Sequence, residues 1–226
     1  MSHFSVLVVT DEEPTSKVLA RTLQPWHEFE CTGNDDEYVV SVDITDETRS
    51  DFSRPRAIEP PQGVDDFATF AAEWHGYEVL TLGPDGEPIG LNLSGEHQFG
   101  YITLDPKTGD ARVLRRTNPN RKWDWYVVGG RWPDQLLLKD GKRANCARVG
   151  DIDFEQMRSV NGLGAGSAPL EVFACVHGGV WLERGKMGYF ACVSNEKGPA
   201  DWNAELAAIF DCLKPDNYLT VVDCHI

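Results

Sequence analysis

Residues 218–226 read YLTVVDCHI, a β-branched and aromatic run without helical period, and they form a strand. Successive side chains on a strand point to opposite sheet faces, so Val222, Cys224 and Ile226 share one side while Val221, Asp223 and His225 share the other. The amino-terminal run SHFSVLVVT, residues 2–10, has the same form: Phe4, Val6 and Val8 make the more apolar row, and His3 and Ser5 lie opposite. The first and last strands of a ferredoxin-like sheet are antiparallel neighbours. In that arrangement the start of one lies beside the end of the other, and His3 meets Asp223 and His225.

Working outward from these two runs, the elements around them fit the same fold. LEVFACVHGGVWLE (170–183) and MGYFACVSNE (187–196) read as paired strands, and DWNAELAAIFDCL (201–213) reads as an amphipathic helix with an Asp cap. Near the amino terminus, EPTSKVLARTLQ (13–24) spaces Val18, Leu19 and Leu23 as a helix does, and YVVSVDI (38–44) follows as a second strand. A β-α-β start and a β-β-α-β end predict an α+β domain: an antiparallel sheet with ferredoxin-like terminal elements and helices on one face. Residues 1–226 are expected to form this single domain. Residues 48–118 form an insertion, in which charged, proline-rich 48–61 is a loop and DDFATFAAEWHGYE (65–78) is a helix with Phe67, Phe70, Ala71 and Trp74 on one face. Turn signals GPDG, LSGE, DPKTGD and NPN make its remainder rich in hairpins. The glycine-rich stretch MRSVNGLGAGSAP (157–169) reads as a flexible loop, because GLGAG lacks the preceding strand and following helix of a dinucleotide fingerprint.

Charge and composition exclude several classes. With 226 residues and 41% hydrophobic content the chain can build a sizeable core. A net charge of −15 argues against nonspecific nucleic-acid binding and against an anionic membrane surface, both of which select Lys and Arg. No run approaches the roughly eighteen apolar residues of a membrane span, and residues 1–10 lack the basic region of a signal peptide, so a cytoplasmic protein is expected. Cys31, Cys146, Cys175, Cys192, Cys212 and Cys224 contain no CxxC pair, which predicts that most are reduced core thiols in place of a zinc knuckle or disulfide framework.

Two constellations carry chemistry. Two imidazoles with a carboxylate, His3, His225 and Asp223, suit general acid–base catalysis or a divalent metal, for which His27 is a further candidate ligand. The second is NPNRKWDWYVVGGRW (118–132). Core packing around a Gly129-Gly130 hairpin accounts for its rings. A nucleotide-like ligand accounts for the charges as well: Trp123, Trp125, Tyr126 and Trp132 stack on a base, Arg131 with Arg121 or Lys122 forks toward phosphate, and Asp124 accepts from a base or ribose. His3-Phe4-Ser5 matches one half of the paired His-x-Ser/Thr motifs of two-histidine phosphoesterases, and the second half is missing. Walker, GxSxG and HExxH motifs are absent as well.

The blocks SHFSVLV, HEFECTG, NPNRKWDWYVVGGRW, ARVGDIDFE and LTVVDCHI, taken in order, resemble a family of uncharacterised proteins from tailed bacteriophages. The resemblance spans nearly the whole chain and is weakest between Thr48 and Asn118. It implies a phage protein working in the host cytoplasm, and it favours an accessory, anti-defence role that sequesters a cyclic-nucleotide immune signal. The alternatives are a metal-dependent hydrolase or phosphoesterase built on His3, Asp223 and His225, and an acidic inhibitor of a host defence protein. A second copy of the chain is a further candidate partner.

Overall fold

The computed structural model describes residues 2–53, 66–188, 190 and 192–226. In chain order the elements are β1 (His3–Thr10), α1 (Ser16–Leu23), β2 (Val40–Asp43), α2 (Thr45–Ser53), α3 (Phe67–His75), β3 (Val79–Thr81), β4 (Gly100–Leu104) and β5 (Ala111–Thr117). There follow β6 (Trp125–Val128), β7 (Leu136–Leu137), β8 (Arg143–Ala144), β9 (Cys146–Arg148), α4 (Phe154–Val160), β10 (Ala174–His177) and β11 (Val180–Glu183). The last elements are β12 (Lys186–Met187), β13 (Val193–Ser194), α5 (Pro199–Cys212) and β14 (Tyr218–His225). The chain divides into two compact units, Met1–His27 with Asn120–Ile226, and Glu28–Pro119. The insertion therefore begins at Glu28, about a strand and a helix earlier than residue 48, because β2 pairs with β5 inside the inserted unit and not with β1.

The first unit is built on a mixed sheet of order β11-β10-β1-β14-β6, with β9 also paired to β14. β1 and β14 are antiparallel along their whole length, from His3 opposite His225 to Thr10 opposite Tyr218. β10 runs parallel to β1 on its other side and turns into β11 through Gly178-Gly179. LEVFACVHGGVWLE is thus a hairpin in itself, and the flanks of MGYFACVSNE pair separately as β12 and β13, while Tyr189 and Ala191 lie outside the described residues. The antiparallel pair of terminal strands is shared with a ferredoxin-like sheet. The order differs, because the first strand of the hairpin, and not the second, lies beside β1.

Helices cover both faces of this sheet, where one covered face was expected. On one side α1 buries Leu19 and Leu23 against Phe4, Val6, Val8, Val222 and Cys224. On the other, α5 buries Trp202, Leu206, Ile209 and Phe210 against Leu7, Val9, Leu219 and Val221, with Met157 of α4. The run Val6–Val9 is apolar on both faces, the pattern of a central strand covered twice, and each fully buried aliphatic chain contributes about 1.5–3 kcal/mol relative to exposure. Helix α1 starts where the Thr15 side chain accepts the Val18 N–H. Helix α5 starts at Pro199 after Gly198, two residues before the expected Asp201 cap: the fixed φ of proline suits a first helical turn, and Asp201 then sits inside that turn, where the helix dipole favours it. The stretch 157–169 is anchored: Arg158 Nε donates to Ser167 O at 2.7 Å, and Ala168 is buried.

The inserted unit has its own sheet, β2-β5-β4-β3, packed with α2 and α3 around Ile44, Ala71, Ile102, Ala111 and Val113. Asp66 caps α3 by accepting the Thr69 N–H at 2.7 Å, and Gly76 closes the helix at φ +69°. Phe70 is buried, whereas Trp74, on the expected apolar face, is 54% exposed. Residues 45–53 form α2 where a loop was expected from 48; residues 54–61 of that expectation lie outside the described residues. His97 is a structural histidine. Its Nδ1 accepts the Asn92 N–H at 2.9 Å, so Nε2–H donates to Glu78 at 3.0 Å.

His75 supplies a pH test of this unit. Its Nε2 lies 3.0 Å from Thr48 Oγ1 and its ring stacks on Tyr77. Burial, followed by the nearby Arg115 charge, holds its pKa below the ordinary 6.5, with Glu47 and Asp51 acting in the opposite sense. The unfolded chain therefore binds the proton first. The contribution of His75 to stability is full above pH 6.5 and is lost as pH falls through that value toward the lowered one. Hydrogen-exchange protection of α3 should fall over this interval, and His75→Gln should flatten the fall; an unchanged slope would remove His75 as its source.

Among the described residues no helix is long and apolar enough to cross a membrane. Among the described residues no cysteine is in a disulfide, but only Cys175 and Cys224 are buried, Cys146 is half-buried, and Cys31, Cys192 and Cys212 are exposed, so the expectation of core thiols holds for a minority. Burial pushes Cys175 up to about 12 and, with the charges of Asp223 and Asp124, raises Cys224 well above its ordinary range, which leaves both as inert thiols.

Candidate functional site

The face of the first sheet that meets α5 is apolar in one half and polar in the other. Leu7, Val9, Leu219 and Val221 lie under α4 and α5, and further along the same alternation come Ser5 and His3 on β1 with Asp223 and His225 on β14. The register sets His3 directly opposite His225, and their rings meet edge to face at 5.1 Å.

Each imidazole is held at Nδ1 by a carboxylate. His3 Nδ1 lies 2.9 Å from Asp223 Oδ1, and Asp223 Oδ2 accepts the backbone N–H of Arg131 at 3.0 Å. His225 Nδ1 lies 2.7 and 2.8 Å from the two oxygens of Asp124, which precedes β6. Asp124 is fixed in turn, since its N–H donates to His225 O at 3.0 Å and its Oδ1 accepts the Trp125 N–H at 2.7 Å. Side-chain exposure is 12% for His3 and 4% for Asp223, 6% for His225 and 17% for Asp124, so both pairs lie largely away from water.

An ionised carboxylate can only accept, so Nδ1 of each ring carries hydrogen and Nε2 is left for chemistry: an acceptor in the neutral ring, a donor in the protonated one. His225 Nε2 is buried and without a hydrogen-bond partner in the structure. Leaving such a group unpaired costs about 1–3 kcal/mol. Trp125 stacks on His225 at 5.0 Å, sets its edge on His3 at 5.4 Å and remains 41% exposed. Beside His3 lies a cavity of about 370 Å³ whose lining includes Ser5, Trp132, Glu171, Arg184 and Met187.

Gly130 makes this geometry possible. At φ +50° it turns the chain so that the Arg131 N–H reaches Asp223, and a Cβ at this position would lie 2.3 Å from Asp223 Cβ. The Gly129-Gly130 pair does not form the expected hairpin. The chain leaves it for β7, and its function is close approach to β14.

The expected ligand surface along 121–132 is divided between the two faces. Trp123 is buried on the α1 side, its indole N–H donating to Leu23 O at 3.1 Å, and Tyr126 packs against it at 5.3 Å. Lys122 pairs with Glu183 at 2.6 Å, and Arg121 is half-buried beside it in the chain. Asp124 and Trp125 serve the histidine face, Trp132 lines the His3 cavity, and Arg131 contributes its backbone while its residue is exposed. The eight residues therefore cannot form one stacking surface. His27 rests on the Trp123 ring at 4.7 Å, with the core of the opposite face. Among the described residues no group of three or more His, Cys, Asp or Glu is placed to hold a metal ion, which corrects the set His3, His27, Asp223 and His225. The physical reason is that Asp223 and Asp124 are engaged by the imidazole Nδ1 atoms and His27 packs with the opposite core, so no third ligand joins the two Nε2 atoms.

Asp124 as the partner of His225, and Arg184 and Glu171 beside His3, were not legible in the sequence, since no local motif marks a pairing between segments about a hundred residues apart. Comparison with protein-family models, with curated proteins and with solved structures returned no match for this chain.

Proposed function

We propose that the chain is a phosphoesterase acting on a nucleotide-like small molecule, with His3 and His225 as its acid–base pair. The observation that carries this reading is the pair itself: two imidazoles in ring contact, each oriented through Nδ1 by its own carboxylate, with Nε2 of His225 unpartnered. In the hydrolytic step the neutral imidazole takes a proton from water at Nε2 as the water oxygen bonds to phosphorus. The ester P–O bond breaks toward its oxygen, and that oxygen takes the Nε2 proton of the protonated imidazole. One water is consumed, and an alcohol and a phosphate with one fewer ester bond are released. Asp223 and Asp124 stabilise the imidazolium formed on either side. Arg184 supplies positive charge for phosphate and Trp132 an apolar wall for a base.

A capture role, in which a phage protein withdraws a host nucleotide signal, has separate support in the exposed Trp125 ring held flat on His225. The two readings separate in one assay. Bis(p-nitrophenyl) phosphate and a panel of linear and cyclic nucleotides, incubated with the protein in chelator and with added Mg²⁺ or Mn²⁺, should yield hydrolysis products by ³¹P NMR, the chelator arm included. Nucleotide bound and returned intact would favour capture, and turnover confined to the metal arms would replace the imidazole mechanism with a metal-dependent one. A protein that neither binds nor cleaves any of them has some other function.

A further inference from the structure

The cavity beside His3 shares Arg184 with a neighbour. A second cavity, of about 430 Å³, is lined by Lys197, Trp202, Asn203 and Glu196, and Glu171 and Arg184 line both. Each lies within the roughly 300–1,000 Å³ of small-molecule sites, and Arg184 stands at their junction. Its backbone is held on both sides, its N–H donating to Phe173 O at 2.9 Å and its carbonyl accepting the Lys197 N–H at 2.8 Å. Its guanidinium lies over the Phe173 ring.

The carboxylates near Arg184 hold it loosely. Glu171 is 3.5 Å from Nη1 and its side chain is 80% exposed. Glu196 lies 2.9 Å from Nε with a side chain 48% exposed, but off the line of the N–H, so that contact is ionic and Nε lacks a hydrogen-bond partner. Exposed pairs of this kind are weak, and a guanidinium binds phosphate through two parallel N–H groups. Lys197, above Trp202 and in an exposed pair with Glu205 at 2.6 Å, places a second cation on the far cavity. A phosphate at Arg184 would thus have His3 on one side and Lys197 on the other, with room for a ring system in each direction.

We infer that the substrate is a dinucleotide whose bridging phosphodiester sits at Arg184, with one nucleoside in the His3 cavity and the other between Lys197 and Asn203. This rests on the phosphoesterase reading and specifies its substrate as a two-sided diester. Hydrolysis follows the step given above, and the bridging P–O bond is the one that breaks.

The test uses the whole protein with adenylyl-(3′→5′)-adenosine, adenosine monophosphate and bis(p-nitrophenyl) phosphate as probes. The dinucleotide should bind at least about tenfold more tightly than the monophosphate, and Arg184→Lys should weaken it by about ten- to a hundredfold, since an ammonium cannot reproduce the planar fork. Lys197→Ala, which also removes the ion pair with Glu205 at 2.6 Å, should weaken binding of the dinucleotide by more than it weakens binding of adenosine monophosphate, with a circular-dichroism melt as the folding control. A dinucleotide that binds no better than the monophosphate, or that is indifferent to both substitutions, overturns the inference. If bis(p-nitrophenyl) phosphate is still cleaved in that case, the phosphoesterase reading survives alone. If the dinucleotide binds through Arg184 and Lys197 but no probe is cleaved, the subsite stands and the catalytic reading falls.

Discussion

His3→Ala should lower turnover of bis(p-nitrophenyl) phosphate by about 10²- to 10⁴-fold, the usual worth of a positioned general acid or base, with the fold intact. The side chain is near the rim of the face, and its removal leaves Asp223 with the Arg131 N–H as a remaining donor, so the cost in stability should stay within about 1–3 kcal/mol. His225→Ala should reduce turnover to the same extent. It removes the ring under Trp125 and leaves Asp124 with the Trp125 N–H, so a circular-dichroism melt belongs beside the assay. The double substitution should cost much less than the product of the two, because an acid and a base acting in one step fail together. Full turnover in folded His3→Ala would dismiss the imidazole pair as catalyst, and losses that follow the melting temperature alone would mark both residues as structural.

Gly130→Ala is expected to be strongly destabilising. Its φ of +50° is costly for any residue with a Cβ, and that Cβ would sit 2.3 Å from Asp223 Cβ and 2.5 Å from Asp223 Oδ2. Asp223 belongs to β14, which is paired on both edges, so the carboxylate cannot swing clear without breaking the register. Conformational strain and overpacking, each about 1–3 kcal/mol, should add to roughly 2–6 kcal/mol in urea unfolding. Gly179→Ala is the control: φ is +75°, nothing lies within 4 Å of its Cβ, and only the smaller strain of about 1–2 kcal/mol applies. Equal losses at the two positions would mean that contact with Asp223 is unimportant. Surviving Gly130→Ala protein should also have lost activity, since the Arg131 N–H that helps hold Asp223 toward His3 is displaced.

The sequence by itself determined the α+β class and the character of the two terminal strands. Period-two alternation in SHFSVLVVT and YLTVVDCHI separates Phe4, Val6, Val8, Val222 and Cys224 from His3, Ser5, Asp223 and His225, and the structure has that division. Such patterns are readable because a strand's geometry is local: each side chain's face follows from its parity. The double covering of Val6–Val9 was present in the sequence as an unbroken apolar run, although a single covered face was expected. What only the tertiary structure decided was pairing across long separations. β10 takes the place beside β1, β2 belongs to β5, and β6 joins the outer edge of β14, where it carries Asp124 to His225 and Trp125 over both imidazoles while Trp123 turns into the opposite core. These choices depend on which distant surfaces bury the most apolar area once the loops close, a property of the whole assembly of elements that no single segment encodes.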